Sequence, residues 1–330
     1  MNKLLSKYSR IALRALRNYA TNKPLVISFE VTHSCTCNCL HCDRGGIIEE
    51  NNRLAPEDYS ELVSSLNPPV VQVSGGEPLL REDVVDIVKA IKKPYKIFPY
   101  IIFVSNGSLM NREKYIELKE AGVDRFSFSL DFPNEKHDDF RRYPGLYAHL
   151  EKTIPELAEL GNNDIAVNSA ITRSNLPYLT ELRDKAVEWG VCISYSAYGV
   201  LRTGDKDYFI YSEEEIKILE EKIKELIRIK KEKGGILNSE YNLKKTYEFF
   251  RDGQISGCKA GRRFFCVRPS GNLVPCSMKP HSREFSNHEE ISAEFSSNNN
   301  CGNCYVSIRA YSSKPLRVLI KDSLSYLASK

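Results

Sequence analysis

Between residues 25 and 200 the chain repeats one pattern: a short apolar run, then a longer segment with helical periodicity. The apolar runs lie at 26–31, 70–74, 101–105, 125–130, 165–171 and 192–197, and the helical segments at 56–65, 81–92, 112–121, 147–160 and 176–189. Parallel strands need a crossover of this length between them, so the alternation predicts an α/β fold with a parallel sheet and helices outside. Right-handed crossovers curl such a sheet into a partial (β/α)6 TIM-like barrel. Ligands then bind at the carboxyl ends of the strands. Polar residues at those ends are therefore the candidates for function.

The first strand runs into Cys35-Thr36-Cys37-Asn38-Cys39-Leu40-His41-Cys42. Cys35, Cys39 and Cys42 make a C-x3-C-x2-C set, and Cys37 inside it allows more than one choice of three. Clustered thiolates on a short loop grip an iron–sulfur cubane through soft ligation. Zinc is the competing occupant, with Cys37, His33 or His41 available as a fourth ligand. Three thiolates on a four-iron cube leave one iron open for a small molecule.

The other strand ends are polar. The second closes in Ser74-Gly75-Gly76-Glu77-Pro78, the third in Ser105-Asn106-Gly107 and the fourth in Ser129-Leu130-Asp131. In the fourth, Phe126, Phe128 and Leu130 alternate with Ser127, Ser129 and Asp131, giving one face for packing helices and one for a lumen. Glycines let backbone approach a ligand closely, and strand-end carbonyls with Glu77 can accept from an ammonium.

These motifs, in this order and spacing over residues 25 to about 200, resemble the radical S-adenosylmethionine (SAM) superfamily. The resemblance implies that Cys35, Cys39 and Cys42 ligate a [4Fe–4S] cluster, with SAM on its open iron. It implies further that one-electron cleavage of SAM frees a 5′-deoxyadenosyl radical, which abstracts hydrogen from an unactivated carbon. An aromatic residue commonly precedes the last Cys in that family, and His41 stands there. Gly75, Gly76, Glu77, Ser129, Asp131 and Asn168 match its SAM contacts, although Phe132 stands where a glycine often follows the Asp. An external donor such as flavodoxin or ferredoxin is implied as the electron source.

After residue 200 the pattern changes. Ser212 with Glu215 reads as a capping box opening a charged helix to about Lys233, ended by Gly234-Gly235, with a second helix near 242–250. Strand-like 263–268 and a turn at Pro269-Ser270-Gly271-Asn272 follow, and the Ser/Asn-rich stretch 282–300 reads as loop. Cys258, Cys276, Cys301 and Cys304 bring four thiols from two distant segments, enough for a closed zinc or cubane site. The run from Gly257 to Cys276 resembles the auxiliary-cluster region of SPASM and twitch radical SAM enzymes. No Cys follows Cys304, which points to the shorter twitch form with one auxiliary [4Fe–4S] cluster on those four thiols. Cys266 is a rival ligand, read as a core residue among Phe264, Phe265 and Val267. Ser277 occupies the position of an acidic base in some relatives, so no general base is named; Glu30, Asp131, Tyr195 and Tyr198 face or flank the expected lumen.

The expected organisation is an N-terminal basic amphipathic helix at 1–24, the barrel at 25–205, a helical linker at 206–255 and the auxiliary domain at 256–330. Lys3, Lys7, Arg10, Arg14 and Arg17 form one stripe of the first helix, and Leu5, Tyr8, Ala12, Ala15, Leu16 and Tyr19 another. One reading lays residues 1–22 on an anionic membrane or acidic partner; the other packs the helix on the barrel with its basic side in water. With 47 Lys+Arg against 43 Asp+Glu, the net charge of +4 is too small to argue nucleic-acid binding. Ten cysteines, no secretory start and no apolar run of the ~20 residues that span a bilayer point to a reducing cytoplasmic setting. The substrate class stays open among small molecule, lipid and peptide, a peptide cross-link being the alternative outcome. A zinc-binding or non-catalytic iron–sulfur electron-transfer module is the alternative of a different class.

Overall fold

The computed structural model describes the backbone of residues 2–279 and 283–328, and the side chains of 7–279 and 283–322. The expected parallel sheet is present. Strands β1 (Val26–Thr32), β2 (Val70–Gly75), β3 (Tyr100–Ser105), β4 (Arg125–Ser129), β5 (Ile165–Ile171) and β6 (Cys192–Ala197) pair in sequence order, each parallel to the last. Helices Pro56–Leu66, Val84–Lys92, Arg112–Ala121, Leu146–Ala158 and Leu179–Glu188 return the chain between them. The result is a mixed α/β partial barrel of the TIM type.

Period-two patterning decides which face is which. In β3, β4 and β6, alternate residues are fully buried under the helices, among them Ile101, Phe103, Phe126, Phe128, Ile193 and Tyr195. The intervening Ser127, Ser129, Ser194 and Ser196 are only partly buried and face the lumen. Tyr195, expected at the lumen, is thus on the helix side, where its hydroxyl donates to the Leu179 carbonyl at 2.5 Å. The parity of its strand puts it there.

The C-terminal segment extends the same sheet. Strand β7 (Phe264–Val267) pairs parallel with β1, Val26 opposite Phe264 and Ser28 opposite Cys266, and β8 (Leu273–Val274) turns back antiparallel. At the other edge the Ser307 amide donates to Ser196 Oγ of β6 at 3.1 Å. Residues 256–312 therefore bridge from β1 to β6 across the open side of the barrel.

Helix Glu213–Lys233 has its reciprocal capping box, and helix Glu240–Asp252 follows. The stretch expected as loop after residue 282 instead forms a helix at His288–Glu294, because Asn287 caps the Glu290 amide at 2.9 Å. Helix Asn2–Ala20 packs on the barrel, as one of the two readings expects, but with part of its basic stripe inward rather than in water. Lys7 ion-pairs with Asp124, and the Arg14 guanidinium sits 4.5 Å from the Phe98 ring centre. Leu13 and Leu16 point outward, 69% and 43% exposed. Buried carboxylate and aromatic partners outweigh the stripe's preference for water. Lys3 and Leu5 of the two stripes lie outside the described side chains. Among the described residues, no helix is long and apolar enough to cross a membrane.

Candidate active site

The end of β1, the loop after it and the end of β2 are built together. The amides of Gly76 and Glu77 donate to the carbonyls of Thr32 and Ser34, each at 2.8 Å. A Cβ on Gly76 would lie 2.1 Å from the Ser34 oxygen, and one on Gly75, at φ +146°, 2.1 Å from that of Thr32. The two glycines are thus required by the cysteine loop's own backbone. Glu77, expected to accept from an ammonium, is fully buried. It accepts from Ser105 Oγ at 2.8 Å, the Asn106 amide at 2.7 Å and the Leu79 amide at 3.1 Å, and ties the end of β3 to that of β2.

Each cysteine of the C-x3-C-x2-C set meets an N–H donor. Asn106 Nδ2 lies 3.6 Å from Cys35 Sγ, Arg141 Nη1 3.7 Å from Cys39 Sγ, and the Arg44 amide 3.4 Å from Cys42 Sγ. Cys37 is different. It is fully buried, and its single S–H is shared between the sulfurs of Cys35 and Cys39, so those two hold its own pKa far up. The bond from Cys37, working against burial, brings Cys35 down to about 7. The same bond, opposed by burial and helped by Arg141, lowers Cys39, whereas burial raises Cys42. Among the described residues no three His, Cys, Asp or Glu converge closely enough to hold one metal ion. A cubane asks for something else, one thiolate at each of several iron corners, with N–H donors on the sulfurs. The donor set fits that group.

Behind the loop lies a polar cluster that sequence reasoning reached only in part. Asp131 is fully buried; its Oδ2 accepts from Arg141 Nε at 2.8 Å and Nη2 at 2.6 Å, and its Oδ1 from the Ala170 amide at 3.0 Å. Burial opposes its charge, but Arg141, then His41 and His137, hold it below the usual carboxylate range. Asp131 therefore aims Arg141 at Cys39. His137 accepts from the Asp131 amide at 3.1 Å, and burial pushes its pKa down to about 3, so the ring is neutral. His41 stacks on Phe140 at 4.7 Å and 8°. Helix Lys136–Arg141, absent from the sequence reading, supplies His137, Phe140 and Arg141. The available signal was three chemistry-bearing residues within ten positions of Asp131. Ser129, Asn168 and Ser194 form one lumen row across β4, β5 and β6, with Ser194 Oγ donating to Asn168 Oδ1 at 2.8 Å.

The second set also comes together. Cys258, Cys276, Cys301 and Cys304 line one small cavity, walled by Phe264, Phe295 and Ile308. Burial, then the neighbouring Cys304, raises Cys276 to about 12. Arg309 Nη1 sits 3.9 Å from Cys304 Sγ, a donor on this set that sequence reasoning missed. Cys266 is fully buried in β7 and is not on the cavity wall. An apolar enclosure with four thiols and a cation fits a cubane with full protein ligation.

Residues 29–182 match the Radical SAM superfamily. That stretch is a radical SAM domain. Over 285 residues it is 28% identical to an AdoMet-dependent heme synthase of Methanosarcina barkeri, covering 79% of this chain and 78% of that one. Over 155 residues it is 35% identical to a probable GTP 3′,8-cyclase of Methanothermobacter marburgensis, covering 46% of this chain and half of the cyclase. In fold it is similar to the crystal structure of Streptococcus suis SuiB bound to precursor peptide SuiA, with a TM-score of 0.64 and 16% identity over 84% of this chain and 66% of that one. A radical SAM domain implies catalysis with a [4Fe–4S] cluster and SAM.

Proposed function

We propose that this enzyme oxidises an unactivated carbon centre of a small organic substrate, using SAM and two [4Fe–4S] clusters. The observation that carries the reading is the pair of cysteine sets on one barrel, the first with an N–H donor on each of three sulfurs, the second with four thiols lining one apolar cavity. When bound, these groups would supply one-electron chemistry: reductive cleavage of SAM to a radical able to take a hydrogen atom from a substrate carbon, with the second cluster as acceptor of the electron that oxidation releases.

The chain's part is to hold and exclude. Cys35, Cys39 and Cys42 hold the first group, and Cys258, Cys276, Cys301 and Cys304 the second. Arg141 and Asn106 donate to sulfurs. The lumen row of Ser129, Asn168 and Ser194 offers hydroxyl and amide groups to SAM. Likeness to an AdoMet-dependent heme synthase along most of both chains supports a small organic substrate over a peptide. A ferredoxin- or flavodoxin-type donor fits the electron requirement.

Anaerobic reconstitution with iron and sulfide tests the reading. About eight irons per chain are expected for two cubanes, with 5′-deoxyadenosine released from SAM under dithionite. Release of none, or saturation near four irons, refutes it.

A further inference from the structure

The lumen face of β1 runs from one cysteine set to the other. Val26 packs against the cluster of Cys258, Ala260, Phe264 and Ile308, which Cys276 and Cys301 also touch, Ser28 follows, and Glu30 reaches Arg44 of the first cysteine loop. Alternate residues advance ~6.6 Å along a parallel strand, so Val26 to Glu30 spans about 13 Å.

Glu30 is buried there and only half used. Its Oε2 accepts from His33 Nε2 at 3.0 Å and Arg44 Nη2 at 3.5 Å, while Oε1 has no protein partner. On the facing guanidinium, Arg44 Nε is buried with no partner. The buried Arg44 donor is thus unmet, a costly arrangement unless something fills it, and the Glu30 Oε1 acceptor of the same ion pair is free to bind. Arg202, bound to Asp43 at 2.5 Å, adds a second cation near Glu30 from the loop after β6. That loop also carries Leu201 on the wall of the second cavity.

We propose that Glu30 and Arg44 form a substrate subsite for a neutral group that both donates and accepts a hydrogen bond, an amide or a hydroxyl. The ligand donates to Glu30 Oε1 and accepts from Arg44 Nε. A carboxylate or phosphate meets the Glu30 charge, and an ammonium meets Arg44 and Arg202, so the pair selects against both. The subsite rests on the two-cluster reading for its place between the sets, but its binding chemistry is tested separately.

The probes are N-methylacetamide, acetate and methylammonium, added to the reconstituted holoenzyme and followed by saturation-transfer NMR of the probe. N-methylacetamide is expected to bind, and the two ions are not. Glu30→Leu should weaken the amide ~10-fold or more, as for loss of a charged hydrogen bond. Glu30→Gln keeps the shape and unmasks the two arginines, so it should gain acetate binding; a thermal melt of each variant checks folding. The proposal is overturned by acetate binding wild type as well as the amide does, by amide binding indifferent to both substitutions, or by no probe binding. Wild-type protein releasing no 5′-deoxyadenosine from SAM would remove the two-cluster reading and leave the probe result standing.

Discussion

Removing the Arg141 guanidinium with Arg141→Met strands a carboxylate. Asp131 would keep only the Ala170 amide, at 3.0 Å, as a donor in a fully buried place. Breaking one side of a buried pair costs about 3–5 kcal/mol. Asp131 can limit that cost by taking a proton. Against an unfolded pKa near 3.9, holding it protonated costs about 1.4 kcal/mol per pH unit, or ~4 kcal/mol at about pH 7 and ~1.5 kcal/mol at about pH 5. The sign follows from linkage. In wild type the depressed Asp131 pKa gives stability above the unfolded value, lost as pH falls through the folded one. In the variant the folded carboxyl holds its proton, so stability falls as pH rises. Anaerobic urea unfolding across this range, read by far-ultraviolet circular dichroism, should show a deficit that grows with pH. Adding Asp131→Asn should recover most of it and remove the slope. A deficit under ~1 kcal/mol, or one flat in pH, refutes the pairing as the cause.

Gly76→Ala drives a Cβ to within 2.1 Å of the Ser34 carbonyl oxygen, so the cysteine loop must move; iron content should fall by about four per chain with the second cubane kept. His137, held neutral with a pKa of about 3, makes the fold acid-labile as pH drops from ~6.5 toward that value. His137→Asn should flatten that limb in acid melts, and an unchanged limb would clear His137 of the effect. Cys37→Ser and Cys266→Ala should each retain full iron, whereas Cys301→Ala should lose about four per chain. Retention in the last would take Cys301 out of the second set.

The barrel was legible because strand parity and crossover length are local properties, and all six expected strands are present at nearly the expected positions. The cysteine sets were legible as spacing. What escaped was pairing. A charged residue such as Arg141 reads as solvent-facing until Asp131 is known to lie beneath it, and its helix Lys136–Arg141 is too short to show a period. Glu77 is the converse: its motif named the residue, but the bonds to Ser105 and Asn106 come from a strand 28 positions on. Helix His288–Glu294 hid in Ser/Asn-rich composition, although Asn287 with Glu290 three residues later was a readable start signal.

The join between β1 and β7 explains why the second cysteine set belongs to the barrel. With Val26 opposite Phe264 and Ser28 opposite Cys266, lumen residues of β1 face lumen residues of β7. A slip of one residue would turn Phe264 and Cys266 to the helix side and carry the hairpin's cysteines with them. The buried side chains of Phe265 and Val267, packed in the main core with Ile27 and Phe29, fix that register. The apolar face of one short strand thereby sets where the second group of thiols stands relative to the first. Glu30 lies on the stretch of β1 that the same register leaves open between them.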